Sequence, residues 1–139
     1  MSNKKKEKII KQLNKQGISG TVEAAGMLFI FVLLVGLIIQ IMMLSTAQNV
    51  VISTAAEGAR AGSRVGPALS HTVAKQTVNN YGSGLLSNWN KNATVNTSGG
   101  GGIGKELKVT VSYKVPSIAI LFPSQTVSGS GSQIVEEMQ

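Results

Sequence analysis

Length, composition and charge already exclude several classes of protein. The chain has 139 residues, no cysteine and a net charge of +7, so it has neither disulfides nor thiolate metal sites and is long enough for one small domain beside a long helix. Most of the charge comes from six lysines ahead of Gly17. Because it is confined to one end, the charge indicates membrane topology, and we expect no nucleic-acid partner.

The N-terminal segment, residues 1–20, is predicted to be a basic cytoplasmic leader. Lysines clustered just ahead of an apolar stretch favour the cytoplasmic side of a membrane, which places the rest of the chain outside. Ile9, Ile10 and Leu13 have helical spacing. Two alternatives stay open for this segment, a short helix on the anionic inner leaflet and a disordered basic tail. Residues 17–20 are expected to break it from the helix that follows.

A transmembrane helix is predicted from Ala24 to Leu44. This stretch carries no charge, and at about 1.5 Å per residue it spans roughly 30 Å, the thickness of a bilayer's hydrocarbon core. It is longer than the apolar core of a signal peptide, about 7 to 15 residues, so we expect a retained single-pass anchor. Its one strongly polar member is Gln40. Glu23, immediately ahead, is expected either to cap the helix in its first turn or to meet a positive group on a neighbouring subunit.

The same helix is predicted to cover residues 21–66, continuing outside the membrane until Gly66 and Pro67 stop it. Beyond Leu44, small and apolar residues recur on one face and charged residues on the roughly opposite face. The first face carries Ala47, Val51, Ala55, Gly58 and Gly62, and the second carries Glu57, Arg60 and Arg64. Glu57 is expected to pair with Arg60 one turn later.

Three glycines of this helix, Gly58, Gly62 and Gly66, are predicted to permit close packing. Each costs about 1 kcal/mol of helix propensity relative to alanine, which indicates that another segment approaches closely. That segment is either the chain's own sheet or the helix of another copy, and the stripe alone does not separate the two.

Residues 67–139 are predicted to form an extracytoplasmic helix and a small antiparallel sheet. A short second helix is expected to end near Gly82, and a turn-rich connection carrying Trp89 follows it. Apolar and polar residues alternate over 107–115, which is typical of a half-buried strand, with 93–97 and 126–135 as candidate partners. The second helix is indicated by Leu69, Val73, Val78 and Tyr81. The fold class is therefore α+β with a membrane anchor.

The apolar segment 117–122 lies between two prolines and has two interpretations. It is either a buried loop or a contact surface, and both stay open.

Candidate catalytic chemistry is scarce. Gly99 to Lys105 follows the phosphate-binding loop pattern, but Glu106 stands where a magnesium-binding Ser or Thr is needed, and a strand pattern follows in place of a helix. His71 is the sole histidine and the chain has no aspartate, so no Ser-His-Asp triad can form. We expect His71 to be solvated. We also expect no enzymatic activity, nucleotide, metal or other cofactor.

Three parts of the chain are characteristic when taken together. They are Gly17-x-x-Gly-Thr-Val-Glu23 with the apolar stretch behind it, Ala55-Ala-Glu-Gly-Ala-Arg-Ala-Gly62, and the closing Ile134-Val-Glu-Glu-Met138. These parts resemble the TadE-like family, the pilin-like proteins of tight-adherence pilus systems that are related to type IV pilins.

The resemblance implies a pilin-like fold and a precursor cut on the cytoplasmic side by a membrane aspartic peptidase. Such a peptidase cuts after a glycine and leaves glutamate at the fifth position of the mature chain. A cut between Gly17 and Ile18 would place Glu23 sixth, and a cut after Gly20 would place it third. Gly17 is therefore the better candidate for the leader cleavage site.

The expected function is that of a pilin-like structural or assembly subunit of a tight-adherence or type IV-like pilus. The chain would be inserted N-in and C-out in the cell membrane, packed through its N-terminal helix and present in a surface pilus, with roles in cell adhesion and protein secretion. Expected partners are the lipid bilayer, copies of itself or other pilin-like subunits, a prepilin peptidase and the pilus assembly platform.

Two alternatives come from other classes of protein. The first is a single-pass accessory subunit of an envelope secretion or conjugation machine that is not built into a filament. The second is a secreted binding module with a cleaved signal peptide, which the aromatic content of 4% disfavours.

Overall fold

The fold, taken from a computed structural model, is α+β, with a long N-terminal helix and a small antiparallel sheet. The structure describes residues 3–118 and 122–136, apart from the side chain of residue 16. The helices are α1 (Asn3–Ser63), α2 (Ser70–Leu85) and α3 (Trp89–Asn92), and the strands are β1 (Ala93–Gly99), β2 (Glu106–Val115) and β3 (Gln125–Ile134). The chain falls into two compact units, Met1–Ile39 and Gln40–Gln139, and each is described by itself.

In the first unit, α1 begins much earlier than predicted. It starts at Asn3, and the expected break at residues 17–20 is wrong because the helix runs through them. Residues 4–15 consist almost entirely of good helix formers, so the cost of two glycines, about 1 kcal/mol each, does not end the helix. The hydroxyl of Thr21 donates a hydrogen bond to the carbonyl oxygen of Gly17 at 2.7 Å, one turn back.

In the second unit, the sheet has the order β1-β2-β3, with both neighbouring pairs antiparallel. The alternation predicted for β2 is confirmed, since one face of the strand is buried. That face consists of Leu107, Val109, Val111, Tyr113 and Val115. The candidate partner strands are also confirmed, within two residues at each end. The polar face of β2 is left to solvent, as expected for a small antiparallel sheet with helices on one side.

The C-terminal half of α1 packs on the buried face of the sheet. Ala47, Val51 and Ala55 on its predicted apolar face are all buried. Two glycines of β3 bring the strand against the helix backbone. A Cβ atom added at Gly131 would lie 2.6 Å from the Cα of Ala56, closer than real Cβ contacts allow. Glycine therefore sets the distance between β3 and α1.

The second helix is longer than predicted, and its buried face shares only Val78 with the predicted one. It ends at Leu85, and its buried residues are Ser70, Ala74, Val78 and Gly82. Leu69 and Tyr81, expected on the packing face, are 56% and 55% exposed. Small residues form the contact because they let α2 approach α1 closely.

Trp89 lies in the core and begins α3, a short helix that the sequence did not predict. Its ring stacks on Tyr113 with centroids 5.8 Å apart, and its indole N–H donates to Oδ1 of Asn79 at 3.0 Å. Trp89 is therefore a core residue of the second unit.

Parts of two predicted segments lie outside the described residues. These are positions 119–121 of the apolar segment 117–122, and positions 137–138 of the closing segment.

Candidate functional site: the apolar segment and glycine stripe of α1

The apolar segment of α1 in the first unit is exposed on all sides. By length and composition α1 can cross a membrane, and only 6% of its most apolar window is buried. Phe29, Phe31 and Leu34 are among the exposed side chains. A helix that is apolar all round is stable only where lipid or other helices cover it. The segment is therefore compatible with a membrane anchor.

Glu23 lies inside α1 and not at its start. Because α1 begins at Asn3, no acidic residue lies in its first turn, and the helix-capping role expected for Glu23 is wrong for the full-length chain. Glu23 is exposed, and the described part of the chain gives it no ion-pair partner. The alternative role, a partner for a positive group on another subunit, stays a prediction.

Gly17 and Ile18, the candidate cleavage residues, also lie inside α1 and are exposed. No described atom outside the local helix lies within 4 Å of a Cβ built on Gly17. The carbonyl of Gly17 accepts the Thr21 hydroxyl, a side-chain bond that often bends a helix. This bond and the glycines at 17 and 20 make the turn a weak point of α1.

The glycine stripe of α1, formed by Gly58 and Gly62, packs against a helix and a strand of the same chain. A Cβ atom added at Gly62 would lie 2.6 Å from the carbonyl oxygen of Ser70 and 2.7 Å from Cδ2 of Leu107. One at Gly58 would overlap Val78 and lie 3.0 Å from the carbonyl oxygen of Ala74. The close approach is therefore made by α2 and β2 of the same chain.

Gly66 differs from the other two glycines. It lies beyond the end of α1 with φ +76°, and the structure shows no described atom within 4 Å of a Cβ built there. The prediction that Gly66 permits close packing is therefore wrong for the described residues. Glycine suits the position because a side chain is strained at positive φ.

The charged face of α1 points outward. Nη1 of Arg60 lies 3.5 Å from Oε1 of Glu57, which confirms the predicted pair. The two side chains are 58% and 44% exposed, so water screens the pair and its contribution to stability is small, about 0.3–0.5 kcal/mol. Arg64, predicted on the same face, lies one residue beyond the end of α1 and is exposed.

The other polar candidates have structural roles. Nδ1 of His71 lies 2.9 Å from the hydroxyl oxygen of Thr97 and the ring is half-buried, so His71 is not simply solvated. The glycine-rich loop leads into β2, as the sequence pattern predicted, and not into a helix. The described residues include no group of three or more potential metal ligands.

Gln40 is the one strongly polar residue of the predicted span, and no role for it was predicted from the sequence. The structure shows Gln40 to be only 8% exposed, with Oε1 accepting a hydrogen bond from the backbone N–H of Ile118 at 3.4 Å. Its Nε2 is buried and has no hydrogen-bond partner among the described residues. An isolated polar residue in an otherwise apolar stretch was the sequence signal for this contact.

Comparison with known proteins supports the resemblance found in the sequence. Residues 19–60 match the family model described as TadE-like protein. The matched region begins near the candidate cleavage site, includes the apolar segment and ends at Arg60, before α2 and the sheet. No curated protein and no solved structure matches the chain.

Proposed function

We propose, from the TadE-like match over residues 19–60, that this chain is a pilin-like structural or assembly subunit of a tight-adherence or type IV-like pilus. The observation that carries the proposal is that the match coincides with a helix segment whose apolar side chains are exposed on all sides. In the bilayer, lipid covers this surface. In a filament, the same surface of neighbouring subunits covers it, and the subunit acts by packing and not by catalysis.

Glu23 is proposed to select the packing partner. A carboxylate at the edge of an apolar bundle is costly unless a positive group meets it, about 2.5–3.5 kcal/mol at a helix centre on insertion scales and less near the interface. Within the described residues Glu23 has no ion-pair partner. A cation on a neighbouring subunit, such as its newly formed N-terminus, would meet this need.

Removal of the leader is proposed to occur between Gly17 and Ile18. The cut would remove the N-terminal lysines, leaving a helix in which only residues 18–23 precede the apolar segment. It would also bring Glu23 into the first two turns of the shortened helix, where a negative charge interacts favourably with the helix dipole. The exposed turn at Gly17 is accessible to a peptidase in the orientation that places the N-terminus in the cytoplasm.

The test replaces Glu23 with glutamine, which keeps the size of the side chain and removes its charge. We expect E23Q to insert in membranes like the wild type and to be lost from sheared surface material. The matched control is Glu57→Gln, which removes an exposed glutamate whose partner lies in the same chain. Normal recovery of E23Q in the sheared fraction would contradict the proposed role of Glu23.

The second candidate is a single-pass accessory subunit of an envelope secretion or conjugation machine. It is favoured by the position of Glu23, which neither candidate cut places fifth in the mature chain. It predicts a full-length chain that stays in the membrane.

A further inference from the structure

The connection between β2 and β3 touches α1 at the C-terminal end of the apolar segment. The backbone N–H of Ile118 donates to Oε1 of Gln40, with N and O 3.4 Å apart. Gln40 precedes Leu44, the last residue of the apolar stretch, by four positions, or about 6 Å along the helix. The backbone at Ile118 therefore lies beside apolar helix and not beyond its end.

If the apolar stretch spans the membrane, backbone groups beside Gln40 lie within the bilayer and need hydrogen-bond partners inside the protein. Within a bilayer, an irregular segment is tolerated only where its polar groups are satisfied, because an unpaired group costs several kcal/mol. Gln40 supplies such an acceptor for Ile118, and the hydroxyl of Ser117 donates to the carbonyl oxygen of Phe122. Pro116 and Pro123 have no backbone N–H that needs a partner.

Two described side chains of this connection, those of Ile118 and Phe122, are apolar and at least partly accessible. Ile118 is 45% exposed, and Phe122 is half-buried. Gln40 is more than nine-tenths buried, and its Nε2 has no hydrogen-bond partner among the described residues. An unpaired buried donor costs about 1–3 kcal/mol, and an apolar residue at this position would avoid that cost. The cost is consistent with a side chain kept for the contact that it makes with the connection.

We propose that the described residues of the β2–β3 connection make a second membrane contact, in which Ile118 and Phe122 enter the lipid interface while Gln40 accepts the backbone N–H of Ile118. The occupant of this surface is lipid, because Gln40, which the connection contacts, lies within the apolar stretch proposed to span the membrane. The inference rests on the proposed membrane span. Of the two interpretations of segment 117–122, it favours a contact surface at the two described ends.

The test uses spin labels on the full-length chain in nanodiscs of phosphatidylcholine and phosphatidylglycerol. The chain has no cysteine, so single replacements at Ile118, Ile103 and Leu34 can each be labelled alone. Ile103 is the matched control, since it is 58% exposed in the β1–β2 loop at the other end of β2. Leu34 reports on the span itself. The readout is the ratio of collision rates with oxygen, which enters lipid, and with a nickel chelate, which stays in water.

We expect the ratio at position 118 to be several-fold higher than at position 103 and to approach that at position 34. Equal ratios at 118 and 103, with position 34 in lipid, would overturn the inference and leave the membrane anchor intact. Low collision rates with both reagents at position 118 would also overturn it, because a protein surface would then cover the site. A water-exposed position 34 would overturn the membrane span as well.

The role of Gln40 is tested by Gln40→Leu, which makes the helix segment wholly apolar. We expect the label at position 118 to move toward water in this variant while the label at position 34 stays in lipid. Fluorescence of the buried Trp89 checks that the domain is still folded. An unchanged ratio at position 118 would contradict the role of Gln40.

Discussion

At the scale of single residues, Gly58 and Gly62 set the distance between α1 and the elements that pack on it. Each lies where a methyl group would overlap α2 and approach a side chain of β2. Their spacing predicted a close contact, but the partner was not predictable, because a small-residue stripe suits a sheet and a second helix equally well. The glycines of β3 were also missed, since glycine in a strand pattern ordinarily weakens the prediction of a strand.

Replacement of Gly62 by alanine tests this contact. Alanine gains about 1 kcal/mol of helix propensity, but overpacking of a dense core costs about 1–3 kcal/mol. The nearest atom to the new methyl group is the Ser70 carbonyl oxygen at 2.6 Å, a backbone atom that moves only with α2. We therefore expect a lower unfolding temperature for the full-length chain, followed by Trp89 fluorescence in detergent.

The matched control is Gly26→Ala, for which no described atom outside the local helix lies within 4 Å of the added Cβ. It should not lower the unfolding temperature. A stable Gly62→Ala variant that disappears from sheared surface material would contradict the account. That result would indicate that Gly58 and Gly62 contact the helix of another copy.

At the scale of elements, α2 and α3 are joined through Trp89. The ring packs against Gly82 of α2 and stacks on Tyr113 of β2. The hydroxyl of Tyr113 donates to the carbonyl oxygen of Ser87 at 2.8 Å, which fixes the connection between the helices. One aromatic pair therefore ties two helices to the middle strand.

Two glycines of α2 give a matched pair of variants. An added Cβ at Gly82 would overlap the Trp89 ring, whereas at Gly84 the structure shows no described atom within 4 Å. We expect Gly82→Ala to lower the unfolding temperature and to shift the Trp89 emission to longer wavelength, as the ring is displaced toward water. Gly84→Ala should be neutral or stabilising, by up to about 1 kcal/mol. Equal effects of the two substitutions would contradict the packing described for Trp89.

The errors in predicting elements have identifiable causes. Glycines at 17 and 20 indicated a helix break, but two isolated glycines lower helix stability without ending a helix. The helix α3 was missed because it has only four residues and follows Asn88, whose positive φ of 54° is a backbone state that sequence patterns rarely reveal. The strands were predictable because one face of β2 is fully buried, and burial on one face enforces strict alternation.

At the scale of the whole molecule, the sequence predicted the fold class. It also predicted that the chain combines an apolar helix with a packed domain of helix and sheet. The apolar stretch was predictable because bilayer thickness fixes its length. The contact between Gln40 and Ile118 was not predictable, since it joins residues 78 positions apart and depends on the path of the β2–β3 connection.

The most direct test of the proposed function is the intact mass of this protein from membranes and from sheared surface material. A pilin-like subunit processed at Gly17 would yield, in the sheared fraction, a mass that corresponds to a chain beginning at Ile18. A full-length mass found only in membranes, with no form of the chain in the sheared fraction, would contradict the account and favour the membrane-bound accessory subunit.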